Sequence, residues 1–263
     1  MNTRDTDLPP ANFVFSNELT AIFDPITEKD LHKDYHEGCT DCDAKSHKNG
    51  CSVVKKWWEA NKHTQDEPEN KVVFECNNKC ICYKKNGPLC KNRISKLNRA
   101  KLDLIVFKTL NTGYGLAAGC DIPEGTIISE YTGRLEYLTS KNTSSKANNT
   151  YSFEMDHMYV NTETTSNRKK YMINALDRGN ETRFANHSCE PNMMSVISFG
   201  GVKNQNFHKI FFAALRDIKY GEELTIRYHN SAEEDQMEFV SCTCGEINCL
   251  KRLPSMIGKH WKL

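Results

Sequence analysis

From Leu102 to Tyr228 the chain runs in short apolar stretches separated by polar, glycine-bearing turns, the pattern of a mainly β region. LDLIVFKTL (Leu102 to Leu110) is mostly apolar and stops at Asn111-Thr112-Gly113. GTIISEYTG (Gly125 to Gly133) follows a Pro123-Glu124-Gly125 turn, and ELTIRY (Glu223 to Tyr228) follows another glycine turn. YSFEMD, MMSVISF and HKIFFAALRDI are rich in β-branched and aromatic residues and predict further strands. No apolar periodicity sustains a helix beyond about three turns. Upstream, Val53-Val54 and Trp57-Trp58 predict one short helix. KHTQDEPENK (Lys62 to Lys71) and TSKNTSSKANNT (Thr139 to Thr150) are polar and predict solvated loops.

Composition narrows this picture. The chain has 263 residues, enough for one large domain with satellite modules. Hydrophobic residues make up 38%, so the core is modest and the loops are long and polar. A net charge of +1 argues against a dedicated nucleic-acid binder, and no sequence-specific nucleic-acid contact is expected. The polar start MNTRDTDLPP shows no secretory h-region, and no apolar run approaches the roughly 18 residues of a membrane span. The expected environment is therefore reducing, where clustered cysteines act as metal ligands.

Twelve cysteines give that expectation weight. Cys39, Cys42, Cys51, Cys76, Cys80, Cys82 and Cys90 form an upstream block, and Cys242, Cys244 and Cys249 lie near the C-terminus. CNNKCIC (Cys76 to Cys82) crowds three thiols too closely for one mononuclear site, whereas adjacent zincs can share a thiolate. Seven cysteines fit two zincs with one shared sulfur. The three C-terminal thiols need a fourth ligand, and Cys189 is the candidate. Cys120 reads as a small buried residue.

Cys189 lies within RFANHSCEPN (Arg183 to Asn192), where polar side chains follow an apolar lead-in. Such a run needs partners for its amides, and it reads as backbone and side-chain groups aimed at something bound.

Taken together, GYG (Gly113 to Gly115), EYTG (Glu130 to Gly133), RFANHSCEPN and GEELTIRY resemble a SET-domain lysine methyltransferase. The upstream cysteines resemble its pre-SET module and CTCGEINC its post-SET module, over about Glu37 to Pro254. The combination is similar to the suppressor-of-variegation branch, with the SETMAR-type enzymes closest in their CTCGEINCLKRLP ending. The resemblance implies a SET fold of several short sheets with a C-terminal pseudoknot, plus a zinc-cluster module and a zinc-binding tail. It divides the chain into an N-terminal segment (1–35), pre-SET (36–100), SET (101–230) and post-SET (231–263) regions. The implied activity is methyl transfer from S-adenosylmethionine to a histone-tail lysine, of the histone H3 lysine-9 class, in nuclear chromatin. The implied partners are a histone tail or nucleosome and a targeting protein. A non-histone lysine substrate and a non-catalytic chromatin-binding module are the alternatives.

The resemblance also assigns roles. Tyr228 becomes the catalytic tyrosine, orienting the amine and assisting its deprotonation, and Tyr131 a wall of the lysine channel with a catalytic part. Gly113, Tyr114, Gly115, Tyr151, Asn186 and His187 become cofactor contacts, while Arg183 and Asn192 brace the fold. Ile226 stands where the family usually places the phenylalanine or tyrosine that limits methylation, so di- or trimethylation is expected. The family's pre-SET module carries nine cysteines around three zincs, against seven here, the absent ones falling near Glu37 and Ser52. Either one zinc is lost, or His36, His47 or Glu37 replaces the missing thiols.

Overall fold

The computed structural model describes residues 13–21, 39–40, 51, 71–86, 92–94, 102–110, 112–137, 151–155, 171–199, 208–228 and 239–254. The expected helix at Val53–Trp58, both polar loops except Lys71, which opens a strand, His36, Glu37, His47, Cys42 and Cys90 lie outside these residues.

The strands are β1 (Val14–Phe15), β2 (Thr20–Ala21), β3 (Lys71–Phe74), β4 (Leu104–Lys108), β5 (Tyr114–Ala118), β6 (Ile127–Glu130), β7 (Arg134–Tyr137) and β8 (Ser152–Glu154). They continue with β9 (Tyr171–Asn174), β10 (Arg178–Gly179), β11 (Asn186–His187), β12 (Met193–Phe199), β13 (Lys209–Ala214), β14 (Thr225–Ile226), β15 (Phe239–Ser241) and β16 (Arg252–Pro254). Helix α1 (Ile81–Asn86) is the one α-helix among the described residues.

Two four-stranded sheets carry the fold, in the orders β3-β12-β13-β6 and β2-β7-β9-β8. Four two-stranded ladders surround them: β1-β10, β4-β5, β11-β14 and β15-β16. In the first sheet the period of two is plain. Ile210, Phe212 and Ala214 of β13 enter the main core, with Met193, Leu116, Ile122, Leu135, Ile173 and Leu224. Phe211 and Ala213 face the other way, onto Val196, Val73, Met194 and Ile94. The upstream region joins the edge of the same sheet, because its strand β3 runs parallel to β12 with Ile197 opposite Val72, and its Val73 and Ile94 pack on the sheet's back. The chain start is knitted in likewise, β1 pairing with β10 and β2 with β7.

Two expectations change in detail. LDLIVFKTL does form a strand, but Ile105 and Val106 are each 40% exposed, because β4 pairs with β5 alone. ELTIRY is a strand over Thr225–Ile226 only. Its amides bond elsewhere: Leu224 to the Leu116 carbonyl, Thr225 to the Asn192 side chain and Tyr228 to the His187 ring. Side-chain acceptors there replace a ladder partner.

Candidate active site and thiol centres

A 3-10 turn, Glu181–Phe184, delivers the RFANHSCEPN segment. The Asn180 side chain caps it, accepting from the Thr182 amide and donating to the Glu130 carbonyl at 2.8 Å. Arg183 is buried, and its Nε donates to the Ala175 carbonyl at 2.8 Å. Its guanidinium lies 4.1 Å over the Tyr151 ring and 4.7 Å over Phe13. At the far end, the Asn192 Nδ2 donates to the Glu222 carboxylate and the Glu223 carbonyl, while its Oδ1 accepts from the Thr225 amide. Both residues brace the segment.

Between them, β11 lies parallel to β14, with Asn186 opposite Thr225 and His187 opposite Ile226. This pairing joins the NHSC segment to the segment bearing Tyr228. The Asn186 Nδ2 donates to the Tyr114 carbonyl at 3.1 Å and to the Glu223 Oε1 at 2.9 Å, which fastens the GYG turn to the same place. Gly113 has φ 77°, a left-handed conformation that favours glycine. At Gly115 a Cβ would stand 2.8 Å from the Glu223 Oε1 and 2.9 Å from the Phe107 ring, so a side chain there would displace these groups.

Tyr228 is half-buried and packs against the main core. Its hydroxyl donates to the Ala185 carbonyl at 3.0 Å, and its amide donates to the His187 Nδ1 at 3.1 Å. Burial raises the phenol above its usual pKa, and nearby Tyr151 and Glu223 push it further the same way. It therefore stays protonated across the physiological range. Tyr131 is 3% exposed, and its hydroxyl donates to the Tyr151 carbonyl at 2.8 Å. Its ring centroid lies 4.5 Å from Phe153 and 5.9 Å from Phe212. Burial raises this phenol too, opposed by Arg183 and reinforced by Tyr228 and Tyr151. Ile226 is buried in the same core.

The thiols fall into two groups of four. Cys39, Cys51, Cys76 and Cys80 converge upstream, and Cys189, Cys242, Cys244 and Cys249 downstream, with the sulfurs of each group within 4.8 Å of one another. The ten described cysteines form no disulfide. A tetrahedral zinc with Zn–S bonds near 2.3 Å sets its sulfurs about 3.8 Å apart. The Cys51–Cys80 pair stands at 3.8 Å and the Cys189–Cys242 pair at 3.9 Å. Backbone amides of Cys39 and Asn77 also point at the Cys80 sulfur, as they would at a thiolate. Both groups fit zinc, and the Cys189 sulfur stands with the three downstream thiols. Cys82 is buried but stands outside the upstream four. Cys120 is half-buried against the core.

Sequence reasoning did not single out Glu223, Ser188 or Glu246. Glu223 could have been noticed as the acidic residue that opens ELTIRY. The Ser188 hydroxyl donates to the Glu246 Oε1 at 2.8 Å, tying the NHSC segment to the C-terminal tail, and nothing in the spacing announces that contact.

Residues 113–229 match the SET domain family model. The chain is similar to histone-lysine N-methyltransferase Su(var)3-9 of Drosophila melanogaster, 28% identical over 96% of this chain and 40% of that protein. It is 31% identical, over 68% of this chain and 37% of the relative, to the "Histone-lysine N-methyltransferase, H3 lysine-9 specific" of Schizosaccharomyces pombe. The crystal structure of Arabidopsis thaliana SUVH6 in complex with SAM superposes with a TM-score of 0.64 at 25% identity, covering 94% of this chain and 51% of that one. The chain thus spans less than half the length of these two curated relatives. On the fold, the motif match and the two thiol centres, it belongs to the SET-domain family, among the relatives of Su(var)3-9.

Proposed function

We propose that the chain is an S-adenosylmethionine-dependent histone-lysine N-methyltransferase acting on the histone H3 tail, of the lysine-9 class, in nuclear chromatin. The observation that carries this reading is the parallel pairing of β11 with β14, which gathers Asn186, His187, Tyr114 and Tyr228 at one place. The names of the relatives support the substrate class.

The cofactor would supply the methyl group as an electrophile on its sulfonium. Its residues here are Gly113, Tyr114, Gly115, Tyr151, Asn186 and His187. They fit a ligand because, among the described residues, both Asn186 amide protons meet protein acceptors and no donor meets its Oδ1. Tyr228 donates its hydroxyl proton to Ala185, and its phenol oxygen would accept an N–H of the substrate amine. The amine's own lone pair then turns toward the methyl carbon. Since Tyr228 stays protonated, it orients the amine and does not take its proton. The lysine must arrive neutral, which from a pKa near 10.4 costs about 4 kcal/mol at about pH 7.4. Tyr131 and Ile226 would wall the approach.

In this reading residues 1–35 lead into a pre-SET module (36–100), the SET domain (101–230) and the post-SET tail (231–263). Zinc would be held by Cys39, Cys51, Cys76 and Cys80 and by Cys189, Cys242, Cys244 and Cys249. Cys42, Cys82 and Cys90 are left to build further upstream sites. The reading is tested with Tyr228→Phe, which should lower single-turnover methyl transfer by about 100-fold or more and leave cofactor affinity within a few fold. Equal single-turnover rates would contradict the assignment.

A further inference from the structure

The Asn186 amide can be oriented without ambiguity, because two acceptors surround one end of it. The Tyr114 carbonyl lies 3.1 Å and the Glu223 Oε1 2.9 Å from Nδ2. An amide turned the other way would set its oxygen against both. The backbone carbonyl alone would satisfy one amide proton. The second is held by Glu223, a residue otherwise fixed in place through its backbone: the Asn192 side chain donates to its carbonyl at 2.8 Å, and it bridges Ala117 across the ladder.

A second feature is built around the same carboxylate. Gly115 has no side chain where a Cβ would stand 2.8 Å from the Glu223 Oε1. The GYG turn is thus shaped to admit this carboxylate beside Asn186. Glu223 also lies near enough to Tyr228 to act on its phenol.

We propose that Glu223 is a positioning residue for the cofactor site: its carboxylate holds the Asn186 amide so that Oδ1 faces the ligand, and the ligand group met there is a hydrogen-bond donor. This rests on the methyltransferase reading, since it takes S-adenosylmethionine, which carries an ammonium, hydroxyls and an amine, as the ligand. Glu223 acts through Asn186 and needs no contact with the cofactor. The function required of residue 223 is an acceptor at Oε1, which glutamine retains and alanine lacks.

The test is titration calorimetry of the zinc-loaded full chain with S-adenosylmethionine, with thermal melts of each variant. Loss of a charge-assisted hydrogen bond predicts that Glu223→Ala weakens binding by about tenfold or more, with Glu223→Gln within about threefold of wild type. Asn186→Asp sets two carboxylates face to face, and adding Glu223→Gln returns a donor to that pair. The double variant should therefore bind better than Asn186→Asp alone, a coupling that a packing role would not produce. This pair also decides the matter if Glu223→Ala fails to fold. Unchanged binding by a folded Glu223→Ala, equal weakness of the Gln and Ala variants, or a double variant no better than Asn186→Asp would overturn the positioning role alone. A wild-type chain that binds no S-adenosylmethionine would overturn the methyltransferase reading, and the positioning role with it.

Discussion

The two thiol groups share a composition and differ in their surroundings. Upstream, Cys39, Cys51, Cys76 and Cys80 are each at most 3% exposed. They are held by backbone bonds: the Cys51 amide to the Phe74 carbonyl, the Cys76 amide to Asn92, and the Ile81 amide to Cys39. That group sits at the end of β3, an edge strand of the central sheet. Downstream, Cys244 and Cys249 are half-exposed, and the contacts lead to the candidate active site instead. Cys189 lies 3.5 Å from the His187 Nε2, whose other ring nitrogen accepts the Tyr228 amide. Because a backbone amide can only donate, a neutral His187 carries its proton on Nε2, where it points at the Cys189 sulfur. One ring thus joins the downstream thiol group to the segment bearing the tyrosine. The comparison teaches that the same four-thiol chemistry can serve the sheet in one place and the site in another.

Breaking each group in turn should separate the two roles. Structural zinc contributes on the order of 10 kcal/mol, comparable with the whole stability of a domain. Cys80→Ser, which removes the sulfur that meets two backbone amides, should therefore abolish cooperative unfolding in a circular-dichroism melt. A normal melt would mean that the upstream group is not a structural metal site. Cys244→Ser should keep the melt of the central sheet, lose one zinc by metal analysis, and lower turnover by roughly 100-fold through a displaced tail. Unchanged zinc content in that variant would contradict the downstream four-thiol site.

A pH profile sharpens the same division, because the account assigns the titrating step to the substrate and not to the protein. Raising pH converts lysine from its charged to its reactive neutral form, so kcat/KM should climb about tenfold per unit below the lysine pKa. Burial holds Tyr228 protonated, so no loss from its ionisation should appear below pH 9. A fall in rate between pH 8 and 9, with zinc content unchanged, would show that the phenol ionises there.

The smallest expected effect is on product, not rate. Ile226 lies opposite His187 in the β11–β14 ladder, buried with Tyr131 and beside Tyr228. Isoleucine offers no hydroxyl to hold a water against the amine and is smaller than a phenylalanine or tyrosine ring, so on this reading it would leave room for added methyl groups. Di- or trimethyl-lysine is the expected product, and Ile226→Tyr should shift it toward monomethyl-lysine by mass spectrometry. A wild-type chain that stops at monomethylation with excess cofactor would contradict this account of the approach.

The parts legible in the sequence are those whose chemistry is local. MMSVISF coincides with β12, and HKIFFAALRDI holds β13, because alternating burial on both faces of a sheet writes itself into consecutive residues. Cys189 could be grouped with the C-terminal thiols, beside which it stands, because three clustered thiols require a fourth. Strands β3, β7 and β9 were not foreseen, since KVVF, RLEY and YMIN are short and mixed, and become strands only against their neighbours. The Glu223–Asn186 bond was equally hidden, because 37 positions separate its partners and neither residue type is unusual. ELTIRY was read as longer than it is for a related reason: side chains of Asn192 and His187, distant in sequence, take the amides that a ladder would otherwise take.

The most direct test of the account is incubation of the zinc-loaded chain with S-adenosylmethionine and histone H3 tail peptides, with mass-spectrometric mapping of the modified residue. The account predicts added methyl groups on lysine 9, absent from a peptide carrying arginine at that position and nearly absent with Tyr228→Phe. A folded, zinc-replete chain that binds the cofactor yet methylates no H3 lysine would contradict it.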